Sequence, residues 1–183
     1  MAFRGELADF ASFYESTYPG AYRTVLAIVR DAGLAADLTQ DAYVKAYRER
    51  HRFRGDAPVA AWLHRIVVNE AISGIRKRAR GPREIDMSTA WGATTGRGEV
   101  TGVADRLSIL DALDVLTPRA RAAVVLRYYH DYDYATIARI LGTSAGNVGV
   151  LLTRSLDLLK TELDTPPPGI VADDRSLEVP DER

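Results

Sequence analysis

Apolar positions recur along most of this chain with helical spacing, and no segment shows the clear alternation of a half-buried strand. The sharpest pattern lies near the C-terminal end. Tyr134, Ile137, Ala138 and Leu141 fall at i, i+3, i+4 and i+7, which predicts a helix with one apolar face. Gly142 follows, and glycine takes positive φ without steric cost, so a sharp turn is expected there. Ser144 can cap the next helix by accepting from a free backbone N–H of its first turn. Val148, Leu151 and Leu152 then form that helix's inward face. Two short helices joined in this way make a helix-turn-helix. Such a unit can place its second helix in a DNA major groove, or it can simply be two packed helices.

The N-terminal part is also helical. Phe10, Phe13, Tyr14 and Tyr18 precede Pro19-Gly20, which predicts a break. Tyr22, Val25, Leu26 and Val29 give a second helix up to Asp31-Ala-Gly33. Asp37 to Tyr47 reads as a third, with Leu38, Ala42, Val44 and Tyr47 free to serve packing or contact. Phe53 to Pro58 is a loop rich in turn residues, and Pro58 suits the first turn of the helix after it. That helix carries Trp62, Ile66, Val67 and Asn69 and ends in the basic run Arg76 to Arg80. Residues 7–80 therefore form one expected domain. Residues 81–104, rich in Gly, Thr and Ser, read as a linker. Residues 105–163 form the second domain: Leu107–Leu116, a break where Thr117 caps and Pro118 starts a helix, Arg119–Tyr129, and the helix-turn-helix. Residues 164–183 are acidic and proline-containing, and their composition predicts disorder. The expected class is all-α, with two small helical domains.

Composition narrows the chemistry. The chain has no cysteine, which excludes disulfides, thiolate metal sites and cysteine nucleophiles. His51, His64 and His130 are scattered, with no i, i+4 pair for a helical zinc site. No metal or cofactor is expected. Nor is an enzyme, since no acid, base and nucleophile can be read from spacing. No apolar run reaches membrane-spanning length, and the N-terminus lacks a signal peptide's apolar stretch, so a cytoplasmic protein without membrane insertion is expected. A net charge of −1 looks unsuited to nucleic acid. Its distribution changes that picture. Residues 1–80 hold 13 Lys and Arg against 9 Asp and Glu, whereas residues 164–183 hold 2 against 6. The acidic tail masks a basic N-terminal half.

Two further blocks carry the interpretation. Asp37-Leu-Thr-Gln-Asp-Ala-Tyr-Val-Lys-Ala-Tyr-Arg48, Arg52-Phe-Arg-Gly-Asp-Ala57, Trp62-Leu-His-Arg-Ile66 and Asn69 make the first. Leu116-Thr-Pro-Arg119, Val125-Leu-Arg-Tyr128, Tyr134-Ala-Thr-Ile-Ala138, Leu141-Gly-Thr-Ser144 and Val148 make the second. In this order, separated by a linker, they resemble the second and fourth regions of extracytoplasmic-function (group 4) RNA polymerase sigma factors. The resemblance covers roughly residues 7–163.

The resemblance implies a site for each partner. The helix around Leu38, Gln40, Asp41, Val44 and Tyr47 would dock on the clamp helices of core RNA polymerase, where an acidic, amide and apolar face suits arginines. Leu38 and Val44 could equally be core. Promoter DNA at the −10 element would meet Arg52, Phe53, Arg54 and Asp56 of the loop, Arg65 and Asn69 of the helix, and Arg76, Lys77, Arg78 and Arg80 at its end. Aromatic faces and amides can hold an extruded base, and arginines can hold the single strand. Trp62 reads better as a core indole. The linker, with Glu84, Asp86 and Glu99, would occupy a polymerase channel normally used by nucleic acid. An anti-sigma factor is a further expected partner.

The second block departs from the family pattern. Gly149, Leu151 and Leu156 stand where basic residues are common in the helix that reads the −35 element. Arg154 and the distal Lys160 are the cations left, with Ser144, Asn147 and Thr153 as polar candidates beside Arg154 for −35 contact. Few phosphate contacts would weaken binding and flatten its salt dependence. This motivates an alternative: a sigma-like decoy that binds an anti-sigma factor or polymerase without efficient −35 readout. A plain helix-turn-helix repressor would not need the first domain.

Overall fold

In the computed structural model, residues 9–80 and 112–164 are described. Helix α1 spans Phe10–Val29 and is capped by Asp9, whose carboxylate accepts from the Ser12 amide. It runs through Pro19 without interruption, so the expected break at Pro19-Gly20 is corrected. A proline inside a helix costs about 3 kcal/mol. Phe13, Ala21, Thr24, Val25 and Ile28 are all buried along this one helix, on both sides of the proline. Burying each large apolar side chain returns roughly 1.5–3 kcal/mol, and that outweighs the local penalty.

Helix α2 spans Ala32–Glu49, starting well before Asp37. The cause is local. The Asp31 carboxylate accepts from the Leu34 amide at 2.8 Å and so caps the helix. That bond, with the Arg78 guanidinium at 2.7 Å, holds the Asp31 carboxyl below the usual carboxylate range. A short 3-10 helix, Arg50–Arg52, leads into the Phe53–Pro58 loop. Pro58 precedes α3 rather than lying in its first turn, and its carbonyl accepts from the Ala61 and Trp62 amides. Helix α3 spans Val59–Arg80. Gly74 lets α2 approach α3: a Cβ there would stand 2.6 Å from both methyls of Leu38.

In the second subdomain a 3-10 helix spans Leu113–Val115, within the helix expected over Leu107–Leu116, of which residues 107–111 lie outside the described residues. Helix α4 spans Pro118–Tyr128, with Thr117 as its cap and Pro118 in its first turn, as expected. Helix α5 (Tyr134–Leu141) is capped by Asp133 and ends at Gly142 with φ 62°. Helix α6 spans Ala145–Asp164, and the Ser144 hydroxyl accepts from the Asn147 amide at 3.2 Å. The α5 and α6 axes are bent 97° at this turn, within the helix-turn-helix range. Val148 and Leu152 are buried and Leu151 half-buried, as the periodicity predicts. Tyr134 departs from it. Its ring is exposed, beneath the Arg127 guanidinium and beside Gly149.

The described residues are all helix, turn and loop, in two helical subdomains. These share one continuous apolar core. It joins Val25, Ile28, Leu63 and Val67 of the first to Leu126, Ile137, Ile140 and Leu152 of the second. Polar groups cross the junction as well. Arg121 donates to the Ile28 carbonyl at 3.0 Å, and Arg30 meets Asp114 at 3.0 Å. The buried hydroxyls of Thr39 and Ser155 donate to carbonyls of their own helices, and no buried side-chain N or O among the described residues lacks a partner. The proposed linker 81–104 and tail lie outside the described residues, apart from Asp164 at the end of α6.

Candidate nucleic-acid interface

The loop after α2 and the start of α3 frame a cavity of about 320 Å³. Arg52, Phe53, Arg54 and Asp56 line it from the loop, Trp62 and Arg65 from α3. The guanidinium groups of Arg52, Arg54 and Arg65 form no hydrogen bond or ion pair among the described residues. Three unpaired cations thus surround two aromatic rings, Phe53 and Trp62, whose centroids are 5.4 Å apart. A single strand offers two matching features, phosphates and base faces. Trp62 is half-buried rather than fully internal. It packs on the core and also lines a second recess, of about 300 Å³, with Asn69, Arg65, Lys45 and Glu49. Asn69 and Arg65 therefore sit one above the other beside the indole, as their spacing of four on α3 requires.

The basic end of α3 divides. Arg76, Lys77 and Arg80 are exposed and unpaired among the described residues, whereas Arg78 ties α3 to the cap of α2 through Asp31. Arg78 is thus already engaged by an ion pair between α3 and α2. The first cavity also contains residues that sequence reasoning missed. Thr136, Arg139 and Ile140 of α5 close it from the second subdomain. Arg139 belongs to the polar face of a visibly amphipathic helix, but nothing local in the sequence signals that this face meets a loop some 85 positions earlier.

On α2 the five residues expected to dock part company. Leu38 is 8% exposed and packs on Gly74, so its side chain serves the core; this corrects its expected place on a docking face. Gln40 and Asp41 are exposed, and Val44 and Tyr47 are 48% and 49% exposed. Arg50 lies over the Tyr47 ring at 3.9 Å and Phe10 packs against it edge-on at 5.1 Å, so the ring is held in place. Beneath lies an aromatic cluster of Tyr14, Tyr18 and Tyr43. Burial pushes the Tyr43 phenol up to about 12, and its oxygen is 2.7 Å from the Thr17 hydroxyl.

The outer face of α6 is poor in cations. Arg154 and Thr153 are exposed, but Val150, 52% exposed, lies between them and Asn147. Ser144 and Asn147 already bond within the turn, Ser144 to the Asn147 amide and Asn147 Nδ2 to Thr143 Oγ1 at 3.2 Å. Gly149 has room for a side chain, since an added Cβ would meet only the Tyr134 ring, at 3.5 Å. Gly149→Ala should therefore raise the unfolding free energy, by up to about 1 kcal/mol. Urea unfolding followed by circular dichroism measures it; a loss of stability would show that the contact with Tyr134 is tighter than it looks.

Among the described residues no group of three or more His, Asp or Glu is placed to hold a metal ion, and no single helix is long and apolar enough to cross a membrane.

Comparison with known proteins gives the same two-part division. Residues 13–81 match the family model for sigma-70 region 2, and residues 106–159 match that for sigma-70 region 4. The RNA polymerase sigma-E factor of Streptomyces antibioticus is 30% identical over 162 residues, 88% of each chain. The ECF RNA polymerase sigma factor SigM of Mycobacterium tuberculosis is 32% identical over 151 residues, covering 79% of this chain and 71% of SigM. Among solved structures, the sigma factor RpoE of Bartonella quintana, in complex with the anti-sigma factor NepR, superposes with a TM-score of 0.70 at 25% identity, over 85% of this chain and 96% of RpoE. CnrH, in complex with the cytosolic domain of CnrY, has the same fold, with a TM-score of 0.64 at 19% identity over 88% of this chain and 96% of CnrH. With both regions present in order, and relatives matched along most of their length, this chain belongs to the sigma-70 family, as an extracytoplasmic-function (group 4) sigma factor.

Proposed function

We propose that the chain binds core RNA polymerase through the exposed face of α2 and directs it to promoters from the cytoplasm. Residues 7–80 act as the polymerase and −10 unit, 105–163 as the −35 unit, and 81–104 as their linker. The observation that carries this reading is the cavity in which Arg52, Arg54 and Arg65 stand unpaired around Phe53 and Trp62. Unpaired cations beside aromatic faces, on a loop held by two helices, suit a single strand with an unstacked base. Asn69, Arg76, Lys77 and Arg80 extend the basic track along α3. On α2, Gln40, Asp41, Val44 and Tyr47 offer one acidic and apolar surface to a partner helix. Gel filtration of the chain with purified core polymerase tests the first step: the account expects one stable complex, and separate elution would overturn it.

The −35 contact is the weaker part of this reading. Arg154 is the cation among its four candidate residues, and Ser144 and Asn147 bond within the turn. The helix-turn-helix then acts mainly when tethered to polymerase, where effective concentration offsets low intrinsic affinity. The free chain should bind a −35 duplex only weakly, with a shallow salt dependence, in fluorescence anisotropy. Nanomolar binding with a steep salt slope would show that few cations suffice. An anti-sigma factor is a further proposed partner, because RpoE of Bartonella quintana, which shares this fold, is solved with one. The decoy reading draws on the same cation-poor α6, and the free basic cavity in the first subdomain argues against it.

A further inference from the structure

Two of the three histidines meet at the junction between the subdomains. His64 lies on α3 and His130 just after α4, and their ring centroids are 3.9 Å apart. His64 is buried at 8% exposure. Its Nδ1 is 2.8 Å from the Tyr132 hydroxyl, which belongs to the second subdomain. His130 Nε2 is 2.7 Å from the Thr24 hydroxyl, which belongs to the first. Each ring therefore bonds across the junction. We propose that His64 and His130 form a proton-sensitive latch: with both rings neutral they hold the subdomains closed, and proton uptake by either ring opens them.

The surroundings favour neutral rings. Burial pushes His64 down to about 3, with the neighbouring His130 adding to the effect, and burial lowers His130 as well. The charged groups near the pair do not offset this. From α1, Arg23 reaches Tyr129, whose ring packs edge-on against His130. From α4, Arg127 donates to the Tyr132 carbonyl, and its carboxylate neighbour Asp131 points to solvent. On α3 the charged neighbour in sequence, Arg65, faces the cavity. No carboxylate among the described residues contacts either ring, and two imidazolium rings this close would repel.

The sign follows from these directions. Both pKa values are depressed in the closed form and return to about 6.5 when the rings reach water. Closure is thus fully supported above that pH and weakens as pH falls below it. Between pH 7.5 and 5.5 the ratio of open to closed rises about tenfold through His64, and His130, lowered by burial as well, adds to that rise in the same direction.

Opening has a consequence that rests on the promoter reading above. The −10 and −35 elements lie roughly 85 Å apart along B-DNA at 3.4 Å per base pair. In the closed form the −10 loop and α5 line one cavity of about 320 Å³. Helix α6, with 20 residues, is roughly 30 Å long. The closed form therefore cannot reach both elements, and the latch would set how much of the chain is competent.

The absence of native cysteine permits a direct test. Ile137 is fully buried in the core the subdomains share, so Ile137→Cys in the full chain should react with a bulky maleimide only after opening. Rates are divided by those of an exposed-cysteine control, Asp157→Cys, to remove the thiol's own pH dependence. The opening ratio should rise at least about tenfold from pH 7.5 to 5.5 with both histidines present. It should stay within a few-fold in His64→Phe/His130→Gln. If that double variant does not fold, His130→Gln alone should retain about a tenfold rise. The same pH slope with and without the histidines, or no slope in either, would overturn the latch. Because this readout uses neither polymerase nor DNA, it succeeds or fails independently of the promoter function.

Discussion

Asp41→Arg should weaken binding to core RNA polymerase by on the order of a hundredfold or more, because in the proposed docking a cation would then face the arginines expected on the partner helix. The side chain of Asp41 is exposed on α2 and takes part in no ion pair or hydrogen bond among the described residues. Its replacement should therefore change stability by no more than about 0.5 kcal/mol. Leu38→Ala provides the contrast. Leu38 is buried against Gly74, so its loss should cost about 2–5 kcal/mol of stability. Surface-plasmon binding to immobilised core polymerase, with thermal unfolding in parallel, separates the two. Full-strength binding by a folded Asp41→Arg protein would move the docking face away from α2.

Replacing Arg52, Arg54 and Arg65 together with Ala should nearly abolish promoter opening while leaving the fold intact. Their guanidinium groups are unpaired among the described residues, so little structure is lost with them. Losing three phosphate contacts to single-stranded DNA should flatten the slope of log K against log salt by about 2. Permanganate reactivity of the −10 thymines reads opening directly, and a salt series on the polymerase complex reads the slope. Arg78→Ala should behave differently. It removes the 2.7 Å pair with Asp31 at the cap of α2 and should leave the salt slope unchanged. A triple variant with wild-type permanganate reactivity would show that the cavity does not hold the strand.

What could be read from the sequence was local. Thr117 with Pro118, Gly142 and Ser144 each act within one helical turn, and all take the roles their chemistry predicts. Helix α2 begins at the Asp31 cap, six residues before Asp37, because the Asp31 side chain accepts from the Leu34 amide. Its buried residues Leu38, Ala42 and Ala46 recur every fourth position, and this spacing separates them from exposed Val44 and Tyr47. The break expected at Pro19 failed for a different reason. Local propensity set one cost, and burial along all of α1 overrode it. Least legible were the groups that meet across the junction. His64 and His130 are 66 positions apart, and Arg139 joins a loop on the other subdomain. No periodicity links such residues, because only tertiary packing brings them together.

The continuous core changes how the two regions should be viewed. Matched as separate regions, they invite description as independent modules. Here Ile137 and Ile140 of the helix-turn-helix are buried in the same apolar cluster as Leu63 and Val67. If the chain bridges two distant promoter elements on polymerase, as proposed, it must break this packing as well as form contacts. That cost makes closure a natural point of control, by protons at the histidine pair or by a protein that favours one form.

The central claim is that this chain gives core polymerase its promoter choice, and transcription in a purified system tests it most directly. Core polymerase is incubated with a genomic promoter library, with and without the chain, and transcript 5′ ends are mapped. The account predicts discrete start sites that appear only with the chain, share a −10 sequence, and vanish with Arg52, Arg54 and Arg65 replaced. A chain that binds core polymerase yet yields the same start sites as core alone would contradict it.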